Sequence, residues 1–210
     1  MRRLAVLAAA LALAGCAGIV DRPQRPTLFD MGPLPPLVAP IERPGPRTPL
    51  VVPDIEAAGA LDSSAILYRL GYSDDHQLRA YAQSRWSAPP AQLVRQRLRH
   101  QLGRERPVLN LEESAALARE GGQAHHVLRL ELEEFAQVFD APDASRGLIR
   151  LRATLLANTP AGDRLVGQRS IAVQGVAPSP DASGGVRALT EATDAAAADI
   201  SQWLLEVRGR

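Results

Sequence analysis

Cysteine is almost absent from this 210-residue chain: Cys16 is the one example. A chain with one thiol cannot close an internal disulfide or build a multi-thiolate metal site. Lysine is missing altogether. All 24 basic residues are arginine, which we read as codon bias rather than phosphate recognition, and with 23 acidic residues the formal net charge is +1. That balance lacks the basic excess of a nucleic-acid binder, so no nucleic-acid partner is expected. Past the first few residues no segment is apolar enough to span a bilayer. Nucleophile elbow, phosphate-binding loop, dinucleotide fingerprint, zinc motif and internal repeat are missing as well, so neither a cofactor nor a metal is expected and catalysis is not indicated.

What is present begins at the N-terminus. Arg2 and Arg3 precede an unbroken apolar run from Leu4 to Ala14. The run suits the core of an export signal and falls short of the roughly 20 residues a spanning helix needs. Leu13, Ala14, Gly15 and Cys16 then match the lipobox of bacterial lipoproteins, in which small residues admit the peptidase and the thiol receives a diacylglycerol. The reading is a cleaved signal over 1–15 and Cys16 as a mature N-terminus bearing palmitate-type acyl chains. Several chains anchor stably where one is marginal. Lipidation consumes the thiol, which excludes a cysteine nucleophile. Ala17 and Gly18 supply no aspartate for inner-membrane retention, so the expected location is the outer membrane, facing the periplasm.

Residues 17–53 hold ten of the 17 prolines, which excludes a helix there. Residues 16–26 read as a semi-stiff tether and 27–210 as a single domain. Thr27–Met31 is expected as an edge strand and Leu50–Val52 as the next. Ile66, Tyr68, Leu70 and Tyr72 alternate in a strand that the Gly71 region ends. His76–Gln83 is expected as a short helix. Ser87-Ala88-Pro89-Pro90 announces a longer one, with Ala91, Val94, Leu98 and Leu102 on one face, Gly103 at the C-terminal cap position, and Arg95, Arg97, Arg99 and Arg104 favoured by the negative end of the helix dipole.

Asn110 with Glu113 resembles a capping box for a helix running to Arg119. Leu128, Leu130 and Leu132 mark a strand whose phase shifts at Glu133-Glu134, as at a bulge, to bring in Phe135 and Phe139. A hairpin leads to the strand of Ile149, Leu151, Ala153 and Leu155, and Leu165–Val173 completes a meander. Val186, Leu189, Thr193, Ala196, Ile200, Trp203 and Val207 step by three and four along a C-terminal helix. The fold class implied is α/β, in the form of an α+β sandwich: a mixed β-sheet with an antiparallel meander, covered by helices.

Candidate sites are few. His125 and His126, adjacent on a strand, point to opposite faces and do not share an ion readily, even with His76 and His100 in the chain. Glu131, Glu133 and Glu134 read as a solvated strand face rather than an acid–base pair. The arginines from Arg95 to Arg106, with His100, read as a solvated helix end, with anionic headgroups or an acidic partner as the functional alternative. Trp86 and Trp203 read as core or interface anchors.

One stretch goes further. Tyr81-Ala82-Gln83-Ser84-Arg85-Trp86-Ser87-Ala88-Pro89-Pro90, with the amphipathic run to Leu102, resembles the signature of the ABC-type transport auxiliary lipoproteins, which include the lipoprotein of the paraquat-inducible Pqi system. Phe29–Pro33, Leu132–Asp140 and Trp203 echo further parts of that pattern, and the resemblance spans roughly residues 27–207. The helix at Asn110–Arg119 has no place in it. The resemblance implies a non-enzymatic part of an envelope lipid-transport machine at the outer membrane. Its partners would be an MCE-domain protein and an ABC transporter or related permease, and a homo-oligomer is compatible with it. Tyr81, Arg85, Trp86, Pro89 and Pro90 would be structural or partner-binding, Trp86 chiefly setting the strand-to-helix corner. Two other readings stay open: an outer-membrane assembly lipoprotein that escorts or plugs a β-barrel, and a periplasmic hydrolase without a recognised motif.

Overall fold

The computed structural model describes residues 25–34, 48–57, 59–110, 112–114, 125–159 and 161–207. The signal expected over 1–15, the expected lipobox with Cys16, most of the expected tether, and most of the helix expected at Asn110–Arg119 lie outside the described residues. Nine strands form one mixed sheet: β1 (Thr27–Phe29), β2 (Leu50–Val51), β3 (Glu56–Ala57), β4 (Ala65–Leu70), β5 (Asp74–Trp86), β6 (Val108–Leu109), β7 (His126–Ala141), β8 (Ala144–Thr159) and β9 (Gly162–Val176). Two long helices, α1 (Pro90–Gly103) and α2 (Ala182–Glu206), pack on one face of it.

The organising strand is β7. Along one edge it pairs with β8 antiparallel for its whole length, and β8 with β9 in turn, which is the expected meander. Along the other edge it is met in succession by β2, β3 and β4, all parallel. Leu128, Leu130 and Leu132 face the helices; the register then shifts between Leu132 and Glu134, and Phe135, Gln137 and Phe139 take over the inward face. The bulge read from Glu133-Glu134 is therefore present, and it lets one strand serve the core on both sides of a phase change. On β8 the inward residues are Ile149, Leu151, Ala153 and Leu155.

Neither α1 nor α2 covers the opposite face. Here the glutamates are paired with arginines: Glu134 lies 3.5 Å from Arg69 and 3.4 Å from Arg150, and Glu133 lies 2.5 Å from Arg152. Partly exposed pairs of this kind contribute little each, so they define a solvated lattice, as the sequence implied.

Several expectations need correction. His76–Gln83 is not a helix but part of β5, paired antiparallel with β4. Two irregularities hid it: Asp75, His76 and Gln77 have no partner between the Leu70–Asp74 and Arg69–Leu78 pairs, and Tyr81 to Ser84 stand opposite Ile66 alone. Strand alternation is lost at each. Gly103 does not adopt a left-handed cap. Helix α1 ends in a tight right-handed turn in which the N–H groups of Arg104, Glu105 and Arg106 return to the carbonyls of Gln101 and Leu102. Asn110 and Glu113 do form the reciprocal capping box, Glu113 N–H donating to Asn110 Oδ1 at 2.8 Å and Asn110 N–H to Glu113 Oε2 at 2.7 Å.

Candidate functional site

The segment Tyr81–Pro90 closes β5 and opens α1. Trp86 is its buried end, 1 % exposed, with its ring 5.6 Å from that of Phe135 on β7. Two strands meet its backbone: Trp86 N–H donates to Ser64 O at 2.8 Å, and the next N–H, of Ser87, donates to Phe29 O at 2.7 Å. Pro89 then holds an extended backbone, φ −52° and ψ 140°, and Pro90 starts the helix, where its missing N–H costs nothing. Pro89 O accepts from Gln92 and Leu93 in the first turn. The two prolines thus convert strand to helix within a few residues.

Arg85 serves the irregular part of β5. The Arg85 guanidinium folds back on the extra residues there and donates to two of their carbonyls, Ser84 O at 2.8 Å and Tyr81 O. Tyr81 turns inward. Its hydroxyl donates to Gln137 Oε1 at 2.8 Å, and Gln137, fully buried, donates from Nε2 to Ser145 Oγ at 2.8 Å. The Tyr81 ring lies 4.7 Å from Tyr68, which in turn meets Phe139 edge-on at 6.0 Å. Burial, with smaller contributions from Tyr68 and Asp181, pushes the Tyr81 hydroxyl up to about 12, so it stays a donor through the physiological range.

Three of the arginines read as a solvated helix end, Arg95, Arg97 and Arg99, turn to internal partners instead, while Arg104 stays exposed. Arg95 donates to Pro53 O at 2.9 Å and meets Asp54 at 3.3 Å, and Arg99 donates to Leu109 O at 2.9 Å. Both hold the ends of β2 and β6. Arg97 is buried: Nη2 donates to Asp194 Oδ2 of α2 at 2.8 Å, Nε to Asp194 Oδ1, and Nη1 to the Met31 carbonyl at 2.5 Å. Its place beside Val94 and Leu98 on the apolar stripe was the one sequence signal for this, and its charge masked it.

The histidines are not brought together. His125 lines a groove with Asp54, Glu56 and Asp163, and His100 lies in α1. Exposed His76 sits beside Asp74 and Asp75, 2.9 Å from the latter, at the start of β5. Two openings on the helix side flank the Asp30–Gly32 segment: a groove of about 530 Å³ between β1 and α2, lined by Phe29, Met31 and Val186 with Arg187, Thr190 and Glu191, and one of about 290 Å³ against Leu93 and Arg97 of α1. Trp203 is buried on α2.

These elements define a two-layer α/β sandwich with one solvated sheet face. Two solved structures share that fold: a Xanthomonas campestris protein of the family DUF330 (TM-score 0.65, 18 % identity, covering 87 % of this chain and 97 % of that one) and a second, uncharacterized protein (TM-score 0.60, 15 % identity, covering 86 % and 99 %). No curated protein matches the sequence. The chain belongs to the ABC-type transport auxiliary lipoprotein component family, whose model matches residues 32–201. It is therefore a lipoprotein of the cell envelope, a membrane-anchored accessory that works beside a transporter.

Proposed function

We propose that the protein is a non-enzymatic, lipid-anchored subunit of an MCE-type lipid transport system, held at the outer membrane and facing the periplasm, where it docks to the MCE-domain protein that its ABC transporter or related permease works with. The observation that carries the reading is the family match over residues 32–201, in a chain whose first sixteen residues read as a signal and a lipobox. On this reading residues 1–15 are removed, Cys16 (after Leu13, Ala14 and Gly15) bears the lipid, 16–26 is the tether and 27–210 the docking domain. The anchor concentrates that domain near its partner while the tether lets it reorient. Tyr81, Arg85, Trp86, Pro89 and Pro90 shape the corner on which the docking surface is built.

Two features support an accessory role over chemistry. At the corner, Arg85 donates to backbone carbonyls and Tyr81 to the buried Gln137. The arginines of α1 are committed to internal partners. Docking then rests on an apolar patch with a charged rim, which salt weakens only modestly. The test is a pull-down of tagged protein from detergent-solubilised envelopes at low and high salt. Recovery of the MCE-domain protein in both is the expected result; recovery of a β-barrel and no MCE protein in either would promote the assembly-lipoprotein reading instead.

A further inference from the structure

Among the described residues the first element after Cys16 is β1, and β1 is weakly held. It is three residues long, lies at the sheet edge and pairs with one neighbour, matching Thr27, Leu28 and Phe29 in parallel to Ser84, Arg85 and Trp86 of β5. Leu28 is 69 % exposed. So short an edge strand frays easily on its own. The residues that follow, Asp30 to Gly32, run between α1 and α2 with a cavity on either side, the 530 Å³ groove toward α2 and the 290 Å³ one toward α1. Packing alone grips this strap poorly; one side chain, Met31, is buried in the core.

The polar bonds at the strap are correspondingly specific. Gly32, at φ +70°, donates its N–H to Asp30 Oδ1 at 2.7 Å, fixing a turn that few residues other than glycine adopt. That turn presents the Met31 carbonyl to Arg97. Between Val94 and Leu98 an apolar residue would fill the core as well, and a buried ion pair is weak evidence for stability in itself. What the guanidinium adds is geometry: one rigid fork ties the strap, α1 and α2 together.

We propose that Arg97 is a mechanical lock for the membrane anchor: a pull arriving through Cys16 is passed at Met31 into both helices, so that the strap does not peel from β5 when the tether is drawn taut. The proposal rests on the reading that Cys16 carries the lipid, because that is what brings the load to β1. Tension along β1 shears its three pairs first; Arg97 sits directly behind them and spreads the load to Asp194 at mid-helix on α2. Asp194 is half exposed, so losing Arg97 leaves no carboxylate stranded in the core.

Single-molecule pulling tests this on the mature chain made without its signal. Cys16, then a free thiol, takes one handle where the lipid would be, and Asp143→Cys at the β7–β8 turn takes the other. Arg97→Met is expected to yield a new first step at lower force than wild type, lengthening the chain by at least the eight residues Thr27–Leu34, roughly 26–29 Å at full extension. Asp194→Asn keeps the Met31 bond and weakens the tie to α2, so its first step should fall between the two; it also carries the test should Arg97→Met not fold. A control geometry, handles at Asp143→Cys and Ala161→Cys at the two ends of β8 with Cys16→Ser, pulls on neither the strap nor the two helices and should give one first-step force for all three proteins. Unchanged first steps in the Cys16 geometry, or equal weakening in both geometries, would overturn the lock. Failure of the lipid reading shows separately, as an unacylated Cys16 in envelope-derived protein, and leaves the pulling result intact.

Discussion

Gly147 on β8 and Gly175 on β9 are register partners, and the backbone of helix α2 at Ala188 rests on both. A methyl group on Gly147 would stand 2.6 Å from Leu189 N, and one on Gly175 would stand 2.6 Å from Ala188 O. The helix comes this close because neither strand presents a side chain beneath it, and Ala188 is itself small and fully buried. Gly147→Ala and Gly175→Ala are therefore each expected to destabilise the fold by about 1–3 kcal/mol, the cost of overpacking against backbone. Gly103→Ala, with no atom within 4 Å of the added methyl and a helical position, is expected to stabilise by about 0.5–1 kcal/mol. Denaturant midpoints of the three variants check both signs; a stabilised Gly147→Ala would mean that α2 does not sit on this pair.

The Tyr81–Gln137–Ser145 chain predicts a pH effect. The folded state holds the Tyr81 hydroxyl near 12 against an ordinary value of 10.0. The unfolded chain thus loses its proton first as pH rises. The stability contributed is whole below pH 10 and is lost progressively as pH climbs from 10 to 12. Tyr81→Phe should remove that part of the alkaline slope. At neutral pH it should also cost about 1–3 kcal/mol, since the fully buried Gln137 loses its donor. Chemical denaturation of both proteins at pH 8, 10 and 11 reads out the difference; parallel curves would show that Tyr81 does not titrate with folding.

Trp86→Ala is expected to cost about 3–5 kcal/mol, the usual range for a large buried aromatic. The ring is 1 % exposed and stacked obliquely on Phe135, and its backbone joins β4 to the strand-to-helix corner. Thermal or urea unfolding checks it. A midpoint equal to wild type would contradict the burial and recast Trp86 as a residue kept for a partner.

How much of this was legible depended on whether a residue's partner lies near it in sequence. The leucine alternation of β7 and its break at Glu133-Glu134 are local, and both were readable, as were the capping box at Asn110 and the apolar stripe of α2. The strand β5 was not, because its two irregularities interrupt the period over most of His76–Gln83 and leave a stretch with no strand signal of its own; pairing with β4 supplies what propensity does not. Arg97 was misread for a related reason. Charge on a helix argues for solvent, and what reverses the argument is Asp194, 97 residues away. The Gly147–Gly175 pair was silent too, since a glycine announces a close approach only once the register across two strands is known.

The last prediction concerns the N-terminus, from which the accessory role and the lock at Arg97 both draw their load. Cys16 is the only thiol in the chain, so a modification that needs a thiol has one place to go. On the lipoprotein reading, Ala14 and Gly15 after Leu13 are the small residues that admit the peptidase, and the apolar run from Leu4 to Ala14 falls short of the roughly 20 residues a spanning helix needs. Cys16→Ala should accordingly leave a precursor that is neither acylated nor cut before residue 16, and should move the protein out of the membrane fraction or trap it at the export stage. Intact mass of the wild-type protein should equal the chain from Cys16 plus a diacylglycerol and an acyl group, because one chain alone gives only marginal attachment. A wild-type mass that fits an unmodified chain starting at any other residue would remove the anchor. With it would go the reason for a tether, for a lock behind β1, and for placing this protein at the outer membrane.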